Sequence, residues 1–97
     1  MASTVLELRG EIDFGSADGW RDIIVRCVTE MHPEVLVLDL SGVSFTDSAG
    51  VALLLFAKQR CNQAGVELEL RNVARQVMRV LDMTGVRAIL GLEDTES

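Results

Sequence analysis

The sequence predicts an α/β domain: a four-stranded sheet with about three helices, in the order βαβαβαβ. Two strand-length stretches alternate apolar and polar residues, one run is apolar throughout, and the segments between them repeat apolar residues at helical spacing. Strands alternating with helices imply right-handed crossovers and a sheet largely covered by helices.

Residues 4–12 alternate, with Leu6, Leu8 and Ile12 turned one way and Glu7, Arg9 and Glu11 the other. That is a strand with one wet face. Gly10, lacking a side chain, marks a place where another backbone can approach closely. Asp13-Phe14-Gly15-Ser16 form a turn, with Ser16 placed to cap the first helix. This helix runs to about Met31 on the stripe Trp20, Ile23, Ile24, Cys27, Val28 and Met31, the spacing of a one-sided helix. His32-Pro33 stops it, because the residue before proline avoids helical angles. Val35, Leu36, Val37 and Leu38, continuing through Asp39 to Leu40, read as a central strand buried on both faces. Residues 41–47 read as a polar loop anchored by Phe45. A second helix covers residues 48–64 and ends at Gly65. Residues 66–71 alternate as a third strand. Residues 73–83 form a third helix with Val77, Val80 and Leu81 inward, and Gly85 ends it. Residues 86–92 supply a short fourth strand.

A chain of 97 residues with 48% hydrophobic and 25% charged content suits one globular domain. That domain is expected over residues 1–97, with the acidic stretch 93–97 as a frayed, solvated end. Nine Lys and Arg against fifteen Asp and Glu leave a net charge of −6. Such a surface repels phosphate backbones and anionic head groups, which argues against nucleic-acid and membrane binding. The N-terminus lacks the basic start and apolar run of a signal peptide. The longest apolar run, residues 49–57, is well short of the roughly 20 residues that span a bilayer. Cys27 and Cys61 fall in the inward helical stripes and read as buried small hydrophobes, in keeping with a reducing, cytoplasmic setting.

The second helix departs from simple amphipathicity. Stepping about 100° per residue, Gly50, Leu53, Leu54, Ala57, Cys61 and Ala64 gather on one side, to face the sheet. Val51, Ala52, Leu55 and Phe56 lie off that stripe and are apolar too. They surround the helix start beside Thr46, Asp47, Ser48 and Ala49. Two readings stand side by side: a docking surface next to a polar loop, or side chains covered by a neighbouring helix. Asp47 and Ser48 likewise read as capping residues, or as the seat of a modifiable hydroxyl. A phosphate there would gain from the helix dipole and first-turn N–H groups while adding about −1.5 to −2 charges.

Residues 10–90 resemble the bacterial anti-sigma-factor antagonists of the STAS family. The matching pieces are Gly10-Glu11-Ile12-Asp13, Val37-Leu38-Asp39-Leu40-Ser41-Gly42-Val43, Phe45-Thr46-Asp47-Ser48-Ala49-Gly50 with the Leu53-Leu54-Leu55 helix, and Val80-Leu81-Asp82-Met83-Thr84-Gly85-Val86. The resemblance implies a mixed sheet of STAS type and a binding module in place of an enzyme. It implies that Ser48 is phosphorylated by an anti-sigma-factor serine kinase, with Asp13 and Asp47 at the flanking acidic positions. The unmodified protein would bind that kinase and free the sigma factor; phosphorylation would stop binding, and a phosphatase would restore it. The expected partner surface is Asp13, Thr46, Asp47, Ser48, Ala49, Val51, Ala52, Leu55 and Phe56. Family members usually carry a further strand before the Gly-Glu-Ile-Asp strand. A sheet without it would leave an exposed edge open to self-association.

Other chemistries find little support. His32 is the sole histidine. The G-x-S-x-G elbow, Walker loop and G-x-G-x-x-G fingerprint are all missing from the sequence. Asp13 and Asp47 lack a third ligand and read as loop and cap residues, so neither metal nor cofactor is expected. Trp20 belongs to a helix stripe. The segment from Asp47 to Leu55 also resembles STAS subunits of bacterial lipid-transport ABC systems, which bind their ATPase. That regulatory role is the alternative reading.

Overall fold

The computed structural model describes residues 2–90. Its elements run β1 (Ser3–Ile12), α1 (Phe14–Arg26), a π-helical turn (Cys27–Met31), β2 (Val35–Thr46), α2 (Ser48–Ala64), β3 (Glu67–Arg71) and α3 (Arg75–Met83). Among the described residues the sheet has three strands in the order β1-β2-β3, and both pairings are parallel. β2 is central, as its unbroken apolar run requires: Leu36, Val37 and Leu38 are buried whichever face they point to. The expected mixed, four-stranded sheet is not what these residues form. Residues 87–90 make turns, because Gly85 at φ 74° redirects the chain after α3 and Leu90 N–H closes onto Val86 O at 3.0 Å. The rest of the expected fourth strand, and the tail at 93–97, lie outside the described residues.

Parallel pairing places α1 and α2 side by side on one face. Each crossover moves one strand along in the same direction, so both helices lie on the same side. One apolar cluster fills the space beneath: Leu8, Ile12, Leu36, Leu38 and Leu40 from the strands, Ile24 and Val28 from α1, and Leu53, Leu54, Ala57 and Cys61 from α2. Val77 and Leu81 of α3 complete it. Both cysteines are free and buried, and burial above all pushes both thiols up from their ordinary value. They pack as small hydrophobes and carry little thiolate.

Four local features differ from the sequence expectation. α1 starts earlier, because Asp13 is its cap. The Asp13 carboxylate accepts from Gly15 N–H at 2.9 Å and Ser16 N–H at 3.1 Å, while Ser16 Oγ accepts from Asp13 N–H at 3.2 Å. Ser16 is thus the third residue of a reciprocal capping box. β2 does not end at Leu40. It continues through the polar stretch to Thr46 by slipping register twice, between Glu7 and Arg9 and between Gly10 and Glu11 of its partner. The slips let Leu40 and Val43 turn inward while Ser41 and Ser44 stay exposed. Asp39 supports the first slip by accepting from Ser41 N–H at 2.9 Å, the main cause holding its carboxyl below its ordinary value. Gly10 serves this irregularity through its φ of 79°, with no atom crowding its missing Cβ. The close approach falls at Gly42, where a Cβ would meet Leu8 O at 3.2 Å. Finally, α1 relaxes into the π turn before His32 closes it at φ 47°.

β2 and its contacts with α2 should therefore unfold last. Hydrogen exchange is expected to be slowest for residues 36–38, the central strand. Leu53→Ala, which opens a cavity under a wholly buried side chain, should cost about 2–5 kcal/mol in chemical denaturation. Val5→Ala on the half-exposed edge should cost well under about 1 kcal/mol.

Candidate functional site

The strand register brings two helix starts together. Ile12 pairs with Thr46 across β1 and β2. The next residues, Asp13 and Asp47, are the caps of α1 and α2. Two helix N-termini, each with its positive dipole end, therefore adjoin at the carboxyl edge of a parallel sheet. Open α/β sheets bind their ligands outside this edge.

Asp47 has extended backbone angles and accepts from Ala49 N–H at 2.8 Å, while Val51 N–H donates to Asp47 O at 3.1 Å. Ser48 is the first residue of α2 and is exposed. Ala49 and Gly50 behind it are buried, so the turn is anchored on its inner side. Asp13 is half-buried in its own capping box. Thr46 ends β2 at the same edge.

The expected apolar patch on α2 divides into three. Ala52 is exposed, one turn beyond Ser48 on the outer crest. Phe56 is half-buried on the flank facing α1, where the Arg21 guanidinium sits 5.1 Å from its ring centroid; Arg60 of α2 lies 6.0 Å from it. Val51 and Leu55 lie about 100–140° around the helix from Phe56. Val51 is buried and Leu55 half-buried against the core. A helical wheel places all four off the sheet-facing stripe, but it cannot show that neighbouring elements bury both flanks.

Phe14 is a further residue at this edge. It follows the Asp13 cap directly and is 80% exposed, the most exposed large hydrophobic side chain among the described residues. Reading Ser16 as the cap left Phe14 in a turn. Assigning the cap to Asp13 places it on the first turn of α1, outside the inward positions Ala17 and Ile24.

The chemistry available here is that of a displayed hydroxyl. His32 closes the far end of the helix that Asp13 opens, roughly 28 Å away at about 1.5 Å per residue, so no imidazole serves Ser48 as a base. Among the described residues no group of three or more His, Cys, Asp or Glu could hold a metal ion. No helix among them is long and apolar enough to cross a membrane.

Comparison with known proteins agrees with this architecture. Residues 2–97 match the STAS domain profile. An anti-sigma F factor antagonist of Paenibacillus polymyxa is 32% identical over 92 residues, covering 95% of this chain and 79% of that protein. The anti-sigma-F factor antagonist RsfA of Mycobacterium tuberculosis is 30% identical over 95 residues, covering 97% of this chain and 74% of the relative. Among solved structures, a sulfate transporter family protein from Wolinella succinogenes superposes with a TM-score of 0.80 at 27% identity, covering 92% of this chain and 71% of that one. With the profile spanning nearly its whole length and these relatives matched over most of theirs, the chain belongs to the STAS-domain family.

Proposed function

We propose that this protein is a cytoplasmic anti-sigma-factor antagonist, a single-domain binding module without catalytic activity. Its unmodified form binds an anti-sigma-factor serine kinase, and the sigma factor is released. Phosphorylation of Ser48 by that kinase ends the binding, and a phosphatase resets it. The observation that carries this reading is the exposed Ser48 hydroxyl on the first residue of α2, directly after the capping Asp47. The antagonist names of the 30–32% identical relatives support the role.

The local physics fits a switch that changes a surface and leaves the fold alone. Ala49 N–H is already held by the Asp47 carboxylate. A phosphate on Ser48 would meet the positive end of α2 from outside while adding about −1.5 to −2 charges beside Asp13 and Asp47. A partner matched to the unmodified face would have to desolvate that charge. Within the proposed partner surface, Ser48, Ala52 and Phe14 are exposed, Asp13 and Asp47 are half-buried beside them, and Thr46 directly precedes Asp47. Leu55 and Phe56 border the crest, and Ala49 and Val51 shape it from beneath.

Incubation with ATP and the anti-sigma-factor serine kinase that the protein captures from its native lysate, followed by peptide mapping, should place one phosphate on Ser48. Ser48→Ala should bind the kinase like the unmodified protein, and Ser48→Asp should bind roughly a hundredfold more weakly with an unchanged melting temperature. Phosphate elsewhere, or undiminished binding by Ser48→Asp, would favour a phosphorylation-independent role such as regulation of a lipid-transport ATPase. Phe14→Ala should weaken kinase binding about tenfold while shifting the melting temperature by no more than about 2 °C; normal affinity would remove Phe14 from the interface.

A further inference from the structure

We propose that β1 is a self-association edge: two copies of this chain pair their β1 strands antiparallel about Leu8, giving a continuous six-stranded sheet. Among the described residues β1 has one strand neighbour, β2. Along its other side no strand among the described residues pairs with the backbone donors and acceptors of this ten-residue strand. Long open edges are usually blunted by an inward charge or a proline, and β1 contains neither. Val5 is 47% exposed on it.

The side chains select one register. Opposite residues in an antiparallel pair must point to the same face, or the buried and wet faces would be exchanged. The two-fold axis must therefore pass through a residue. Centring on Glu7 sets Glu7 against Glu7, and centring on Arg9 sets Arg9 against Arg9 and Glu7 against Glu11. Centring on Leu6 sets Val5 against Glu7 and forms no ion pair. Centring on Gly10 sets Arg9 against Glu11 but overlaps only residues 8–12 of the strand, where a Leu8 centre overlaps residues 4–12. Centring on Leu8 sets Glu7 opposite Arg9 of the second copy, twice, with Leu8 against Leu8 on the covered face. Opposite charges directly across a pair stabilise it, and like charges destabilise it. Glu7 and Arg9 now bond each other at 3.2 Å along the strand, with side chains 60% and 77% exposed, so exchanging partners costs little.

The helix above this edge points the same way. The flank of α1 facing α2 is the cleft formed by Val28, Thr29, His32, Arg60, Gln63 and Ala64. The opposite flank, over the β1 edge, carries Ile23, Cys27 and Met31 around a shallow depression with Arg26 and Glu30. Ile23 is 40% and Met31 62% exposed. A two-fold axis perpendicular to the sheet keeps both α1 helices on one face and runs them antiparallel across the seam. Ile23 of one copy then approaches Met31 of the other, and Arg26 approaches Glu30. The same operation thus covers the open edge, the apolar flank and the exposed charges, as an isologous interface must.

The test is sedimentation equilibrium of the untagged chain from about 1 to 300 µM, a range that brackets micromolar dissociation constants. About 150 mM NaCl would screen the net charge. The wild type should reach twice its 10.6 kDa mass. Glu7→Arg and Arg9→Glu should each weaken the dimer about tenfold or more. An equimolar mixture of the two variants should regain it, since every facing pair is then opposite in charge, as should the double exchange in one chain. Circular dichroism melting checks that each variant stays folded. Met31→Asp should weaken the dimer without touching the strand. A wild type that stays at the monomer mass throughout, or a dimer that neither charge variant weakens, would overturn the proposal.

Discussion

Everything in this domain hangs on the parallel pairing of β2 with a strand on each side. A strand flanked that way must bury both faces, which explains its unbroken run of Val and Leu and the helices needed to cover it. It also forces every connection to cross over and return to the same starting edge. The helices therefore begin where the strands end. Because Ile12 and Thr46 are register partners, the caps Asp13 and Asp47 that follow them share one edge of the sheet. Ser48 is displayed as a consequence of sheet topology, and its surroundings are acidic because both helix starts use aspartate.

The same constraint separates what must stay rigid from what is free to change. Ala49, Gly50, Leu53 and Leu54 are buried directly behind the displayed turn. Close packing there makes the helix start a fixed platform. On the outer crest only Ser48 and small Ala52 stand between the caps and the polar end of the helix. On the proposed reading, a charge added at Ser48 would alter the surface potential at this edge and leave the core beneath it in place.

Much of this was legible in the sequence, and the exceptions have physical causes. The bounds of α2 follow from Asp47 at one end and Gly65, with φ 73°, at the other. The centrality of β2 follows from its apolar run. The cap of α1 was misread because a capping box uses both Asp13 and Ser16, and either residue type can be the cap. The extension of β2 through Ser41, Gly42 and Ser44 was hidden because its two register slips break the alternation that identifies a strand. The burial of Val51 depends on what lies beside α2, which one helix's periodicity does not contain. The strand expected at 86–92 rested on a short apolar pattern without periodicity, and turns occupy its described part.

At the candidate site, the position of Ser48 was readable because capping chemistry is local. The company it keeps was only partly so, since the nearness of Asp13 and Phe14 arises from pairing over more than thirty residues of sequence. A phosphate on Ser48 is proposed to change this edge and nothing else. The most direct measurement is a comparison of backbone amide NMR spectra before and after enzymatic phosphorylation. Shifts confined to residues 12–15 and 46–52, with the amides of residues 36–38 unmoved, are the predicted result. Shifts spreading through β2 and β3, or a spectrum of a partly unfolded chain, would contradict it.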